Sequence, residues 1–208
     1  MTKNFETQRR IMIERQLRSR GLKDKKVLAA MADVPRHVFV PEVEKSRSYY
    51  DGPLPIGRGQ TISQPYIVAY MTELLVLKGD ENVLEIGTGC GYQTAVLAEI
   101  VNHVYTIEVI TELGERAKQL LNEELGYANI SFKIGNGRGG WQEFAPFDRI
   151  ILTAAPKEFP VGLFMQLKEG GIAVAPVGNF FQRMIRYFKR KDKIEEEALI
   201  GVSFVPCV

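Results

Sequence analysis

Apolar residues in the middle of the chain follow two alternating spacings. Continuous apolar runs of strand length are typical of parallel strands that are buried on both faces. Between most of these runs, apolar residues recur at helical spacing. The predicted strands are Asn82 to Ile86, His103 to Glu108, Ile130 to Ile134, Phe147 to Thr153 and Gly171 to Val177, and the predicted helices are Tyr92 to Val101, Ile110 to Leu125 and Phe159 to Leu167. This alternation predicts an α/β fold with a doubly wound, mostly parallel sheet and right-handed crossovers.

The N-terminal part has the pattern of a helical cap. Apolar residues recur at helical spacing from Phe5 to Arg20, and Gly21 is a suitable stop. A second helix is predicted after Asp24, whose side chain can cap it, and Pro35 ends it.

The segment that follows has no helical spacing of apolar residues. Prolines and glycines divide Arg36 to Ile62, which predicts a long loop, and its aromatic content argues that the loop is ordered. A strongly apolar helix is predicted from Tyr66 to Leu77, with Pro65 at its first position and Ser63 or Gln64 as its cap.

The C-terminal stretch predicts two antiparallel strands joined by a charged turn, Lys189 to Glu197. The three parts together predict a single domain. Residues 1–80 would form the helical cap and substrate loop, 81–178 the α/β core, and 179–208 the C-terminal hairpin.

Composition narrows the classes of function. The 208 residues carry 27 basic and 25 acidic side chains, a net charge of +2, which disfavours nucleic acid as the main partner. The N-terminus has no apolar stretch of signal-peptide length, and no membrane span is predicted, so we expect a cytoplasmic protein. Cys90 and Cys207 have no metal-ligand spacing, and no metal site is predicted.

A glycine-rich turn, VLEIGTGCGY from Val83, follows the first predicted strand of the core. Glycines at 87, 89 and 91 allow a sharp turn and bring backbone against a ligand, and the next helix directs free N–H groups at it. Glu108, at the end of the next strand, is placed to bind a ribose diol. Because ligands bind at the carboxyl ends of parallel strands, this turn, Glu108 and the turns at Gly135 and Thr153 should converge on one crevice.

Two ligands compete for this crevice, a dinucleotide and S-adenosylmethionine. The dinucleotide pattern G-x-G-x-x-G is not met, because Tyr92 occupies its sixth place, and no proton-transfer partner accompanies the site. Glu85, inside the strand, suits the sulfonium and amino groups of S-adenosylmethionine better than a pyrophosphate. The pattern favours the methyl donor, and the dinucleotide stays open.

Several longer stretches carry a resemblance to a known family. They are FVPE at Phe39, DGPLPIGRGQTISQPYIVAYMTELL from Asp51, VLEIGTGCGYQTAVLA from Val83, the turn at Gly135, PFDRIILTAA from Pro146, QLKEGGIAVAPVG from Gln166 and FVP at Phe204. In order, they resemble the protein-L-isoaspartate O-methyltransferase family. The resemblance implies a Rossmann-like class I methyltransferase fold that uses S-adenosylmethionine. It also implies methylation of the free α-carboxylate of L-isoaspartyl residues in damaged proteins, with D-aspartyl residues as a second substrate, which starts repair through a succinimide. We expect the chain to be a monomer.

The resemblance also implies roles for individual residues. Ser63 would be the active-site residue. Residues flanking the substrate would be Ile56, Gln60, Thr61 and Ile62, and residues holding the cofactor would be Glu85, Gly87, Thr88, Gly89, Gly91, Glu108, Asn136 and Gly137. The family usually has Asp where this chain has Asn136, which predicts a modest loss of cofactor affinity, and often Ser where it has Cys90.

Two other functions stay open at this point. One is a methyltransferase that acts on a small molecule or nucleic acid, although that would not explain the block between Pro53 and Pro65. The other is a non-catalytic relative that only binds a nucleotide.

Overall fold

The computed structural model describes residues 4–191 and 193–207 of the chain. Its helices are α1 (Phe5–Met12), α2 (Lys25–Asp33), α3 (Pro65–Leu74), α4 (Tyr92–Ala98), α5 (Thr111–Lys118) and α6 (Val161–Met165). Its strands are β1 (Leu54–Gly57), β2 (Gln60–Ile62), β3 (Asn82–Ile86), β4 (His103–Glu108), β5 (Ile130–Ile134), β6 (Phe147–Leu152), β7 (Leu167–Val177), β8 (Gln182–Arg190) and β9 (Lys193–Val202).

A seven-stranded sheet with the order β5-β4-β3-β6-β7-β8-β9 organises the molecule. Strands β3 to β7 run parallel, and β8 and β9 add on as antiparallel strands, which confirms the predicted doubly wound sheet and its C-terminal hairpin. At the centre of the sheet, Leu84 pairs with Tyr105 on one side and with Ile150 on the other. All five predicted core strands form, because apolar runs of this length are stable only where both faces are covered.

The N-terminal cap is helical as predicted, although it is not one regular helix. After α1 the chain continues as a π-helix, Ile13–Leu17, and a 3₁₀ turn, Arg18–Arg20, and ends at Gly21 with φ of 91°. The predicted cap of α2 is confirmed, since the Asp24 carboxylate accepts the N–H groups of Lys26 and Val27 at 2.8 and 3.1 Å.

The loop predicted between Arg36 and Ile62 is wrong in part, because this stretch contains regular structure. Two 3₁₀ helices, Arg36–Val38 and Glu42–Arg47, precede the hairpin formed by β1 and β2. The strands have only four and three residues, too few for a periodic signal, and the left-handed residues at their turn read as loop residues.

Pro65 is the first residue of α3, as predicted, but the predicted side-chain cap is wrong. Gln64 occupies the cap position, and its amide instead donates to the Asp51 carboxylate at 2.8 Å. The helix ends at Leu74 rather than Leu77, because Val76 adopts a left-handed φ of 52°. Three core helices also have shorter α-helical parts than predicted: α4 ends at Ala98, α5 continues past Lys118 as a π-helix, and α6 has Pro160 as its cap.

The predicted charged turn, Lys189 to Glu197, is wrong, because most of it lies in the strands β8 and β9. Its charges pair across the two strands: Glu197 accepts a hydrogen bond from Arg186 at 2.9 Å, and Arg190 lies 3.4 Å from the Glu195 carboxylate. A run of charges here marks the exposed face of a strand pair rather than a hairpin tip.

One buried apolar cluster joins the N-terminal helices to the sheet. Met12, Leu17 and Met31 are completely buried in the same cluster as Val83 and Val104 of the sheet. The cap therefore covers one face of the sheet and holds the β1–β2 hairpin near the strand ends. Among the described residues, no helix has the length and apolar character needed to cross a membrane.

Candidate active site

A cleft opens at the carboxyl ends of β3, β4 and β6. The glycine turn after β3, Glu108 at the end of β4 and Thr153 after β6 all line it, together with Gly137 after β5. The predicted convergence of these turns on one crevice is confirmed. It follows from the parallel register, which brings the ends of neighbouring strands to one edge of the sheet.

The glycine turn needs glycine for two different reasons. Gly87, Gly89 and Gly91 all have positive φ, at 99°, 57° and 89°. A Cβ on Gly89 would have only the Ile56 side chain nearby, at 3.5 Å, so this backbone lies open to the cleft. A Cβ on Gly91 would lie 2.8 Å from Leu121, because Gly91 packs against the helical segment after α5.

Glu108 is built into the floor of the cleft. It is buried, and its two carboxylate oxygens accept the N–H groups of Gly89 at 2.7 Å and Ile110 at 2.9 Å. These bonds hold the carboxylate still, and each oxygen keeps a second lone pair. A pair of ligand hydroxyl groups is the natural complement to such a carboxylate.

The segment from Gln60 to Ser63 lines the same cleft from the side of the β1–β2 hairpin. The Ser63 hydroxyl makes no hydrogen bond within the described part of the chain, whereas its carbonyl oxygen accepts a bond from the Arg36 guanidinium at 2.8 Å. The hydroxyl is thus available to a bound molecule while its backbone is held.

Comparison with known proteins identifies the family. The model of the Protein-L-isoaspartate(D-aspartate) O-methyltransferase family matches residues 7–208. The protein-L-isoaspartate O-methyltransferase of Dictyoglomus thermophilum is 54% identical over 206 residues, which are 99% of this chain and 93% of that protein. This chain belongs to the protein-L-isoaspartate(D-aspartate) O-methyltransferase family. The enzyme of that name from Geobacter metallireducens is 50% identical, over 99% of this chain and 95% of its own length.

Solved structures agree with this family and with the predicted fold. A protein-L-isoaspartate O-methyltransferase superposes with a TM-score of 0.86 and 28% identity over 97% of this chain, which spans 65% of that structure. A structure from Plasmodium falciparum, described as a putative protein-L-isoaspartate O-methyltransferase in complex with S-adenosyl-L-homocysteine, has a TM-score of 0.83 and 24% identity, and covers 99% of both chains. Family membership overturns the dinucleotide alternative.

The cleft of this methyltransferase fits S-adenosylmethionine. Open backbone at Gly89 and the lining backbone at Gly87 suit the methionine part, the fixed Glu108 carboxylate suits the ribose hydroxyls, and the apolar walls suit the adenine. Of the residues predicted to hold the cofactor, five line the cleft: Gly87, Thr88, Gly89, Glu108 and Gly137.

Glu85 is not brought into the cleft, and its predicted ligand contact needs correction. Its side chain is completely buried, and one carboxyl oxygen accepts bonds from the hydroxyls of Thr94 at 2.5 Å and Thr106 at 2.7 Å. Burial raises its pKa from 4.5 to about 8, so the group is mostly neutral at pH 7. Residues in the middle of a parallel strand point into the layers on either face, whereas ligands sit beyond the strand ends.

Two further predicted cofactor residues do not line the cleft. Gly91 belongs to the packing of α4, as described above. Asn136 is exposed, and its side-chain oxygen accepts the Arg138 N–H at 2.9 Å, which caps a 3₁₀ turn. The neighbouring Gly137 does line the cleft, and a Cβ there would lie 2.5 Å from Ile86.

The predicted substrate residues divide in the same way. Gln60, Thr61, Ile62 and Ser63 line the cleft, whereas Ile56 lies beneath it. Ile56 is buried on the inner side of β1, and its carbonyl oxygen accepts the Arg116 guanidinium at 2.8 Å. It supports the glycine turn from below rather than facing the substrate.

Arg36 is a residue of the site that the sequence did not indicate. It is completely buried, donates to the carbonyl oxygens of Ser48 and Ser63 at 2.8 Å each, and lies over the Tyr92 ring at 4.8 Å. It therefore joins the substrate segment to the first residue of α4. The available signal was an arginine in the short, mostly apolar stretch between the second helix and FVPE at Phe39.

Cys90 is buried in the wall of the cleft, and burial raises the pKa of its thiol. A raised pKa lowers the thiolate fraction at neutral pH. The prediction of a small packing residue at a helix start, rather than a reactive thiol, is consistent with this environment.

Proposed function

We propose that this chain methylates the free α-carboxylate of L-isoaspartyl residues with S-adenosylmethionine, and that Ser63 aims that carboxylate at the methyl group. Membership of the family supports the assignment of this reaction. The observation that supports the role of Ser63 is its unbonded hydroxyl, which lies in the wall of the cleft that the glycine turn and Glu108 also line.

The reaction asks the protein for alignment rather than for proton transfer. An α-carboxylate titrates near about 3.5, so the acceptor is already ionised at neutral pH and needs no general base. A hydrogen bond from the Ser63 hydroxyl would orient one carboxylate oxygen, and Arg36 would keep the Ser63 backbone in place. The apolar side chains of Ile62, Val68 and Met71 line the cleft and exclude water where charge is lost in the transition state.

S-adenosylmethionine supplies the methyl group when bound. Glu108 would hold its ribose, the backbone at Gly87 and Gly89 its methionine part, and Gly137 would border its adenine. The following backbone nitrogen attacks the carbonyl of the methyl ester and expels methanol, which closes a succinimide. Water then reopens this ring, partly to aspartate, and neither step needs a further residue of this chain.

Three broader features stay proposals. We infer a single domain, since the N-terminal helices share one buried cluster with the sheet. We also infer a monomer that acts on damaged proteins in the cytoplasm without membrane partners, and the balanced net charge of +2 disfavours nucleic acid as a partner. D-aspartyl residues are a second substrate candidate because the name of the family includes them.

The activity is tested with labelled S-adenosylmethionine and two peptides that differ only in an isoaspartyl or aspartyl residue. We expect a base-labile methyl ester on the isoaspartyl peptide alone. Methylation of neither peptide would contradict the assignment, and methylation of a nucleic acid or small molecule instead would favour the other methyltransferase function.

The role of Ser63 is tested with Ser63→Ala. Loss of one hydrogen bond to a charged group should lower kcat/KM about 10- to 100-fold, while the affinity for S-adenosylhomocysteine stays within about twofold. Ser19→Ala is the matched control, because Ser19 is exposed, does not line this cleft and lies outside the segment from Gln60 to Ser63. Unchanged kcat/KM in Ser63→Ala would remove Ser63 from the mechanism.

A further inference from the structure

A second cavity adjoins the cofactor cleft. It has a volume of about 870 Å³ and meets the cleft at Thr61, Ser63, Thr153 and Val205, which line both. A molecule whose reacting carboxylate lies at Ser63 would therefore extend into this cavity. The volume is sufficient for several peptide residues, not only for one side chain.

Two neighbouring phenylalanines form the outer wall of this cavity. Phe180 and Phe181 are 98% and 95% exposed, far more than the other large apolar residues near the cleft. Adjacent aromatic side chains left in water are a common mark of a surface that binds a partner. Their position beside Ser63 connects that surface to the reaction.

The backbone that carries the two phenylalanines is fixed at both ends. Gly178 has a φ of 127°, donates to the Pro156 carbonyl at 3.0 Å, and is so close to the Phe181 carbonyl that a Cβ would lie 2.2 Å from it. The Gln182 side chain accepts the Phe204 N–H at 2.6 Å and donates to the Phe204 carbonyl at 3.1 Å. The wall is thus preformed, and only the aromatic side chains need to order on binding.

The charge of the cavity also suits a peptide substrate. Among the described residues that line it, Arg183 is the only charged side chain, and the others are apolar or neutral. A peptide that brings a carboxylate and apolar neighbours meets no negative charge here, whereas a lysine beside the isoaspartate would meet Arg183.

We propose that this cavity binds the substrate residues next to the isoaspartate, and that Phe180 and Phe181 select an aromatic or large aliphatic side chain there. This inference rests on the proposed function and adds a preference among isoaspartyl sites. An apolar side chain in contact with the two rings would gain affinity by burial and by aromatic packing, both absent for an alanine.

The test uses isoaspartyl peptides that differ only in the residues on either side of the isoaspartate: phenylalanine, leucine, alanine or lysine. For the wild-type chain, we expect kcat/KM to be about five- to tenfold higher with phenylalanine than with alanine on at least one side, mainly through KM. In the double variant Phe180→Ala/Phe181→Ala, this preference should fall below about twofold, because kcat/KM should fall several times more for the phenylalanine peptide than for the alanine peptide.

Met165→Ala is the matched control, because Met165 is also highly exposed and lines neither cavity. It should keep the wild-type preference. An equal preference in the wild type and the double variant, or an equal loss for all peptides, would overturn the inference while leaving the methyltransferase assignment intact. No methylation of any isoaspartyl peptide by the wild type would instead overturn the proposed function, and this inference with it.

Discussion

Glu85→Gln tests whether the buried acid beneath the glycine turn is neutral in the folded protein. One carboxyl oxygen of Glu85 accepts hydrogen bonds from the hydroxyls of Thr94 and Thr106, and the other oxygen is buried without a partner in the described part of the chain. Glutamine has nearly the same shape and can accept the same two bonds through its amide oxygen. The substitution therefore preserves the shape and the two accepted bonds and removes the ability to ionise; the cost of its buried NH₂ group does not depend on pH.

The effect on stability depends on pH in a defined direction. Burial holds the pKa of Glu85 at about 8 in the folded protein, against 4.5 for an ordinary glutamate. Its contribution to the free energy of unfolding is fully present below about pH 4.5 and is lost between pH 4.5 and about 8, as the unfolded chain ionises and the folded chain does not. The full difference is on the order of 5 kcal/mol, at 1.36 kcal/mol for each pH unit.

Urea denaturation followed by circular dichroism at pH 5, 7 and 9 measures this difference. Wild type should lose several kcal/mol more than Glu85→Gln between pH 5 and pH 9, so the variant becomes the more stable protein at high pH. Glu115→Gln is the matched control, because Glu115 is exposed on α5, and it should follow the wild-type curve. Parallel curves for wild type and Glu85→Gln would refute the neutral buried acid.

The same variant tests whether Glu85 contacts the cofactor, as the sequence predicts, or lies buried away from it, as in the structure. Without contact with the cofactor, Glu85→Gln should bind S-adenosylhomocysteine within about twofold of wild type by calorimetry. A tenfold loss of affinity at unchanged stability would instead support a direct contact of Glu85 with the ligand.

Three further predictions concern the cleft. Gly91→Ala should lower the free energy of unfolding by about 1–3 kcal/mol through strain and overpacking, whereas Gly89→Ala should mainly weaken S-adenosylhomocysteine binding, and the reverse order in denaturation and calorimetry would contradict the two roles. Arg36→Met should cost about 2–5 kcal/mol and lower kcat/KM through Ser63, which a thermal melt and the peptide assay would check; a variant as stable and active as wild type would contradict it. Asn136→Asp should leave S-adenosylhomocysteine binding within about twofold in calorimetry, because Asn136 is exposed and lies outside the cleft; a tenfold gain in affinity would instead support the direct contact that the sequence predicts.

The sheet could be predicted because its signals are local. The run Val83 to Ile86 is apolar or buried at every position, and the glycines after it permit a turn that other residues resist. The hairpin of β1 and β2 could not be predicted in the same way, because strands of three and four residues show no period. The charged run in β8 and β9 was mistaken for a turn for a different reason: charges that pair across two strands, such as Arg186 and Glu197, resemble a solvated turn when they are considered only in sequence order.

By itself, the sequence determined the family, the order of the core elements and which turns meet at one edge of the sheet, because strand periodicity and glycine conformations are properties of neighbouring residues. Tertiary structure decided which of the singled-out residues face the ligand. It placed Glu85 and Gly91 in the packing, kept Glu108 and Ser63 in the cleft, and brought Arg36 beneath Ser63 across 27 positions of chain. It also set Phe180 and Phe181 beside Ser63, because such contacts depend on how distant segments pack, which no local pattern records.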